Sequence, residues 1–196
     1  MILAAAILVG ILTGLARGGK LQQLAGVPFR WGGLAVVAFG LQVYIIYFPE
    51  QVGAGFVTLR LGLLLLSYAL LIAVIWQNRK LPGLWLLGAG LVANLAVMLL
   101  NGGYMPVTQQ ALLQAGFAHS AQAAEGAHVL SSKDVVMARD ATLAWWLSDV
   151  FVLPPPFPIP SIFSLGDVLV ALGGFWFLQV CMREEQTQST RPNKYV

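Results

Sequence analysis

FVTLRLGLLLLSYALLIAVIW, residues 56–76, is a nearly uninterrupted apolar stretch with the length that a bilayer-crossing helix needs, about 20 residues. Four other runs share this composition. Together they predict spans at about 1–16, 31–48, 56–76, 84–100 and 162–182. Hydrophobic residues make up 58% of the chain and charged residues 10%, against roughly 25% charged residues in a soluble domain. The sequence therefore predicts an all-α integral membrane protein with about five transmembrane helices. Residues 1–182 would form a single membrane domain, and 183–196 a polar cytoplasmic tail.

The positive charges predict how these helices are oriented. They fall in the first loop, the third loop and the tail, as Arg17, Lys20, Arg30, Arg79, Lys80, Arg183, Arg191 and Lys194. With five spans these regions share one side, which the positive-inside rule assigns to the cytoplasm. We expect a multi-pass protein of the inner (plasma) membrane with its N-terminus outside and its C-terminus in the cytoplasm. The first run lacks the basic start of a signal peptide, so it is interpreted as a retained helix.

The segment 101–161, between the fourth and fifth spans, is then extracytoplasmic. TQQALLQAGF (108–117) and VVMARDATLAWWLSDVF (135–151) have the pattern of short amphipathic helices that lie on or near a membrane. Trp145 and Trp146 suit the level of the lipid headgroups, as do Trp31 and Tyr104. The expected architecture is five spans with short surface helices between the last two.

Asp149 and Asp167 are candidate catalytic residues. Asp167 follows Ser161 by six positions, which predicts a place about 9 Å along the last span, where an ionised carboxylate is costly. The stiff proline-rich elbow PPPFPIP (154–160) would bring the two carboxyls together. A shared site would split their pKa values into an acid and a base. The alternative remains open that each is neutralised separately, Asp149 by a helix cap or Arg139, and Asp167 by Arg60 or a backbone donor.

Other polar residues extend this candidate site. Arg60 either reaches lipid headgroups or neutralises an acid, and a salt bridge to Asp167 or Asp149 is favoured. Asn94 and Asn101 are seven positions apart and share a helix face, which is typical of hydrogen bonding between helices. In the alternative, Asn101 points toward the aspartates. A helix cap is predicted at Ser161 or Ser164, and Tyr104 completes the binding or structural set.

Several classes of function are disfavoured. Cys181 is the single cysteine, which rules out an internal disulfide and a cysteine-based metal cluster. His119 and His128 are nine positions apart, unlike helical metal ligands, so no metal and no cofactor are predicted. A polybasic patch interleaved with aromatic residues is lacking, so we expect no nucleic-acid partner. The expected partners are the lipid bilayer and either another membrane protein or a lipid or peptide substrate.

Two resemblances add to these predictions. LNGGYMPV (100–107), LSDVFVLP (147–154) and FSLGDVLVALGGFWFL (163–178) resemble an uncharacterised bacterial family of polytopic membrane proteins, a domain of unknown function. The residues from Asp149 through Pro160 and Phe163 to Asp167 also resemble, in part, the end of lipoprotein signal peptidase. That resemblance implies a catalytic dyad of Asp149 and Asp167. Ser164 and Gly166 depart from the peptidase pattern, which has asparagine and alanine at these positions.

Three hypotheses about function follow. The favoured one is a non-catalytic membrane subunit, or a binder of lipid or a small molecule, with its polar site at the extracytoplasmic face. The second is a membrane-embedded aspartyl hydrolase that uses Asp149 and Asp167. A transporter ranks last, because the cytoplasmic halves of the spans carry almost no ionisable groups.

Overall fold

The computed structural model describes residues 2–47, 59–129 and 132–183. The described chain is mostly helical. Its five longer helices are α1 (Ile2–Ala16), α3 (Gly32–Tyr47), α4 (Leu59–Gln77), α5 (Leu84–Leu100) and α8 (Leu165–Cys181). Its shorter helices are α2 (Leu21–Ala25), α6 (Gln109–Gln114) and α7 (Ala118–Ala121). The longer helices begin and end within about three residues of the predicted spans. The predicted end of the second span at Phe48, the first residues of the third and the tail from 184 onward lie outside the described residues.

The 101–161 segment is only partly helical. TQQALLQAGF contains α6, whose start is capped by the hydroxyl of Thr108, which accepts a hydrogen bond from the Ala111 amide at 3.1 Å. The amphipathic helix predicted for 135–151 is wrong. That stretch holds the end of β2 (Asp134–Val136), a single 3₁₀ turn at Trp145–Leu147 and the start of β3 (Phe151–Leu153).

Short strands hold this segment together. β1 (Met105–Val107) pairs with β2 in parallel, and β3 pairs with β4 (Ser161–Phe163) in antiparallel orientation. The proline-rich elbow connects β3 to β4, so it reverses the chain as a hairpin. A small core of Val107, Ala111, Leu112, Ala121, Val129 and Val136 lies beneath the segment. The expected all-α fold therefore carries a small β component.

The longer helices alternate in direction. Gln42 of α3 donates to the Ser67 hydroxyl of α4 at 3.2 Å. The backbone of Arg30 bonds to Asn78 at the other end of this pair, so α3 and α4 are antiparallel. Helices α5 and α8 are antiparallel as well, whereas α1 runs parallel to α8 and lies close to it from Gly10 to Gly14.

Four glycines bring α5 and α8 into close contact. Gly83 faces Gly173, and Gly90 faces Gly166. Gly83 and Gly90 are seven positions apart in the sequence, and so are Gly166 and Gly173. A Cβ atom on Gly173 would lie 2.5 Å from the Leu87 nitrogen and 2.7 Å from the Gly83 oxygen, so no larger residue fits without separating the helices. At the next position, Gly174, a Cβ would meet nothing within 4 Å. We call this set of four residues the glycine contact.

Helix length sets a limit on the prediction of five spans. Among the described residues, only α4, with 19 residues, is both long and apolar enough to cross a bilayer on its own. The helices α1, α3, α5 and α8 are apolar but have 15, 16, 17 and 17 residues. The described part of the chain is therefore mostly helical, with one helix of membrane-spanning length and composition.

Candidate functional site

Asp149 and Asp167 are brought toward each other by the β3–β4 hairpin. Asp149 lies two residues before β3, and Asp167 lies four residues after β4, so the pairing of the strands brings these two flanks together. The backbone amide of Asp149 also donates to the Pro106 carbonyl of β1 at 3.2 Å. Strand β1 thus lies between β2 on one side and Asp149 on the other.

Asp167 forms the cap of the last helix. Because residues 161–163 form a strand, α8 begins only at Leu165, and Asp167 lies in its first turn rather than about 9 Å along it. The Ser164 hydroxyl accepts a hydrogen bond from the Asp167 amide at 3.0 Å. The Asp167 carboxylate accepts one from the Ser164 amide at 3.2 Å. This reciprocal capping box satisfies two donors that a helix start otherwise leaves without partners.

Asn94 joins α5 to this cap. Its amide nitrogen donates to Asp167 Oδ1 at 2.8 Å, and its amide oxygen accepts from the Ser164 hydroxyl at 2.8 Å. All three side chains are buried. The glycine contact makes this possible, because Gly166 leaves the space that the Asn94 amide occupies. Asn94 thus forms the interhelical hydrogen bonds that are typical of such an asparagine.

Lys133 provides the positive charge for Asp167. Its ammonium lies 3.9 Å from Asp167 Oδ1, and its side chain is 25% exposed. Burial alone would lower the pKa of Lys133, but the carboxylates of Asp167 and Asp149 outweigh burial and raise it. Lys133 therefore stays charged, and it links the 101–161 segment to α8. Lys133 was not among the residues predicted for this site.

Asp149 lies against Asp134, an acid that the predicted pair did not include. The carboxyls of Asp149 and Asp134 lie within hydrogen-bonding contact, which requires a proton between them. Burial raises the pKa of Asp149 well above its usual range, and the neighbouring Asp134 raises it further. Oδ1 of Asp149 and Oδ1 of Asp134 are both buried, and neither accepts from an N–H or hydroxyl group of the described residues. Burial raises the pKa of Asp134 as well, so the pair keeps a proton to higher pH than a free aspartate does.

We call the polar side chains of Asn94, Lys133, Asp134, Asp149, Ser164 and Asp167 the cluster. Arg60 and Tyr104 lie beside it. A terminal nitrogen of Arg60 donates to the Gly103 carbonyl at 2.6 Å, and the guanidinium lies 3.9 Å from the centre of the Tyr104 ring. The His128 ring meets Tyr104 edge to face at 5.9 Å. Burial lowers the pKa of His128, so its imidazole is neutral. The predicted salt bridge from Arg60 to an aspartate stays a prediction, and the ion pair seen at Asp167 comes from Lys133.

Asn101 has a structural position. Its side chain donates to the carbonyls of Val97 and Leu143 at 2.8 and 2.9 Å and accepts from the Leu143 amide at 3.0 Å. These bonds hold the 140s loop against the end of α5, so the alternative in which Asn101 points toward the aspartates is wrong. The other suggested partner of Asp149, Arg139, stacks on Trp145 at 3.7 Å from the ring centre.

Metal binding has no geometric support in the part of the chain that the structure describes. No three His, Cys, Asp or Glu side chains there are placed to hold an ion. The cluster offers instead an ammonium, a capped carboxylate and a carboxyl pair that holds a proton. Such a set can bind a hydrogen-bond donor or exchange a proton.

Comparison with known proteins gives the family. The model of the Family of unknown function (DUF5317) matches residues 26–179, which include every residue of the cluster. The chain belongs to this family. An uncharacterized protein of Thermotoga maritima is 31% identical over 130 residues, which cover 64% of this chain and 67% of the relative. No solved structure matches the chain. The predicted uncharacterised family is thus confirmed, whereas the resemblance to lipoprotein signal peptidase is not shown.

Proposed function

We propose that this chain is a multi-pass protein of the inner membrane whose 101–161 segment closes the outer ends of the helices over a small-molecule site. The outward faces of the longer helices support the membrane part. They expose large apolar side chains, among them Ile7, Leu8, Val36, Phe39, Leu172 and Trp176, each more than half exposed. Apolar surface of this extent is typical of contact with lipid or with other proteins.

Alternating helix directions support five spans. A helix of 17 residues is about 26 Å long, a few ångströms less than a hydrocarbon core of about 30 Å. Local thinning of the bilayer accommodates a mismatch of this size at modest cost. Arg17, Arg30, Arg79 and Arg183 then lie on one side, and Asp134, Asp149 and Asp167 on the other. The positive-inside rule makes the first side cytoplasmic.

Labelling of single cysteines in intact cells tests this orientation. In a Cys181→Ser background, Asp140→Cys is expected to react with a membrane-impermeant maleimide, because Asp140 is exposed in the 101–161 segment. Arg183→Cys is expected to react only after lysis. The reverse pattern would contradict the orientation, and recovery of the chain in the soluble fraction would contradict membrane insertion.

The proposal of a small-molecule site is based on Oδ1 of Asp149. Buried polar atoms are nearly always hydrogen-bonded, yet this oxygen and Oδ1 of Asp134 accept from no N–H or hydroxyl donor of the described residues. A cluster with a purely structural role would be expected to satisfy its acceptors. Since the atoms left over are acceptors beside carboxylates, the expected ligand is a small hydrogen-bond donor, in particular a primary amine. Lys133, one quarter exposed, lies at the accessible edge of the cluster.

A thermal-shift assay tests this proposal. The protein in detergent micelles is titrated with methylammonium and with ethanolamine, and the melting temperature is followed by tryptophan fluorescence. At tenfold excess over the dissociation constant a ligand stabilises by about 1.4 kcal/mol. We expect a rise for the wild type, none for Asp149→Asn, and an unchanged rise for the exposed control Asp140→Asn. If Asp149→Asn responds like the wild type, the oxygen of Asp149 is not the binding atom.

The hydrolase hypothesis is supported by one observation, with a different pair of residues. The carboxyls of Asp134 and Asp149 are in contact and burial raises the pKa of both, an arrangement that suits the shared proton of an aspartyl hydrolase. Asp167 fits that role poorly, because its oxygens accept from Asn94 and Ser164 and face Lys133. A hydrolase would cleave a fluorogenic lipopeptide, and Asp134→Asn and Asp149→Asn would each abolish cleavage. Absence of cleavage by the wild type favours the binder.

A further inference from the structure

A polar cavity lies at the opposite end of the helices from Asp167. Its volume is about 420 Å³, and it lies between the loop that precedes α3 and the turn that joins α4 to α5. Three of its lining residues are cationic, namely Arg30, Arg79 and Lys80, and none is acidic. Loops rich in lysine and arginine serve first as topology signals. A binding site requires in addition that the cationic side chains are held in place.

Asn78 fixes the shape of this cavity. Its side chain is buried, accepts from the Arg30 amide at 2.8 Å, and donates to the carbonyls of Arg30 and Val74 at 2.7 and 2.8 Å. One buried amide therefore ties the loop before α3 to the end of α4. A topology signal needs only the charges, whereas this arrangement fixes where their backbone lies.

The cationic side chains are also oriented. The Gln77 amide, turned so that its oxygen faces Arg30, accepts from two guanidinium nitrogens at 2.9 and 3.3 Å. Arg79 donates to the Trp76 carbonyl at 3.0 Å and lies 4.9 Å from the centre of the Trp76 ring. Held guanidinium groups bind phosphate oxygens well, because less side-chain entropy is lost on binding.

Exposed aromatic side chains lie next to the lining residues in the sequence or in the adjoining helix, outside the cavity lining itself. Trp31, Trp76 and Trp85 are each more than half exposed, and Trp76 meets Trp85 edge to face at 6.2 Å. Tryptophan is enriched where the hydrocarbon core meets the headgroups. The cavity would then open at the level of lipid phosphates, on the side where basic pockets between helices bind anionic lipids.

We infer that this cavity binds the phosphate group of an anionic phospholipid of the cytoplasmic leaflet. This inference rests on the proposed membrane placement. The two guanidinium groups and the ammonium of Lys80 would neutralise the phosphate, and the tryptophans would contact the start of the acyl chains. The site is separate from the Asp149 cluster, and it would hold a lipid as a bound component of the protein.

The test measures binding of short-chain lipids to the purified full chain in detergent micelles by native mass spectrometry. The probes are dioctanoyl-phosphatidylglycerol and dioctanoyl-phosphatidylcholine, with inorganic phosphate as competitor. We expect the wild type to prefer the glycerol lipid. Arg30→Gln and Arg79→Gln should each weaken its binding about fivefold, the effect of about one cation near a phosphate. Arg183→Gln removes a cation at the same end of the helices but outside the cavity, and it should change binding less than twofold.

Two results would overturn the inference. If Arg183→Gln weakens binding as much as Arg30→Gln, the preference reflects diffuse charge and not a built cavity. If inorganic phosphate at millimolar concentration displaces the lipid, the ligand is free phosphate. Arg30→Lys guards against misfolding, because it keeps the charge but loses the bonds to Gln77 and should show an intermediate affinity. Correct cysteine labelling without lipid preference would refute this inference and leave the proposed placement intact.

Discussion

Gly173→Ala is expected to weaken the contact between α5 and α8, although alanine is the better helix former. The new Cβ would lie 2.5 Å from Leu87 N and 2.7 Å from Gly83 O, whereas ordinary contacts begin near 3.4 Å. Both neighbours are backbone atoms, so relief requires the helices to move apart by about 1 Å. Overpacking of this kind costs about 1–3 kcal/mol, partly offset by about 1 kcal/mol of helix propensity.

Gly174→Ala is the matched control, since it lies one position along the same helix and a Cβ there meets nothing within 4 Å. It gains the propensity term without the clash, so the two variants should differ by about 1–3 kcal/mol. For a chain of this size that is a difference of roughly 2–12 °C in melting temperature, measured by tryptophan fluorescence in one detergent. Equal melting temperatures, or a less stable Gly174→Ala, would refute the close approach of the two helices.

Three further predictions concern the polar cluster and its support. Lys133→Met should destabilise the protein by about 1–3 kcal/mol. This is less than the loss of one partner from a fully buried ion pair, because Lys133 is partly exposed. Lys133→Arg should recover most of the melting temperature. Because the pKa of Asp149 is raised above its unfolded value near 3.9, its contribution to stability is complete below about pH 4 and is lost as pH rises through the raised pKa. In a series of melting curves, Asp149→Asn should flatten the dependence of stability on pH, whereas Asp140→Asn should not. If Asp149→Asn keeps the steep slope of the wild type, the pH dependence does not come from Asp149. Asn101→Ala removes three hydrogen bonds and should lower the free energy of unfolding by on the order of 2 kcal/mol. Hydrogen exchange should then rise around Leu143 and stay unchanged in α8. Unchanged exchange at Leu143 would show that the loop is held by other contacts.

The longer helices were predictable because long apolar runs in this sequence end at glycine, proline or charge. Strands β1 to β4 were not, since each has three residues, too few to show a period of two. Their pairing depends on partners up to 29 positions away, as between Met105 and Asp134. The same strands explain the error at Asp167, because residues assigned to the helix start belong to β4.

The site was predictable only in part. Asp149, Asp167, Asn94 and Ser164 stand out as polar residues in apolar surroundings, and the structure brings the last three into direct contact. Lys133 has an adjacent acid, which makes it look like part of a solvated loop. The available signal was its position directly before the apolar VVM (135–137) in a segment with few charges. No local pattern could show that β2 turns it toward α8.

The cluster joins two parts of the fold that are otherwise built separately. Asn94 and Ser164 belong to the helices and depend on the glycine contact, whereas Lys133 and Asp134 depend on the pairing of β1 with β2. Asp167 accepts hydrogen bonds from the first group and forms an ion pair with Lys133 of the second, and Asp149 is held by its own bridge to β1. A change that separates α5 from α8 must therefore alter the electrostatic field at the Asp149 carboxyl, even when the changed residue makes no contact with Asp149. Gly173→Ala should consequently shift the pH at which the Asp149 contribution is lost, and Gly174→Ala should leave that pH unchanged.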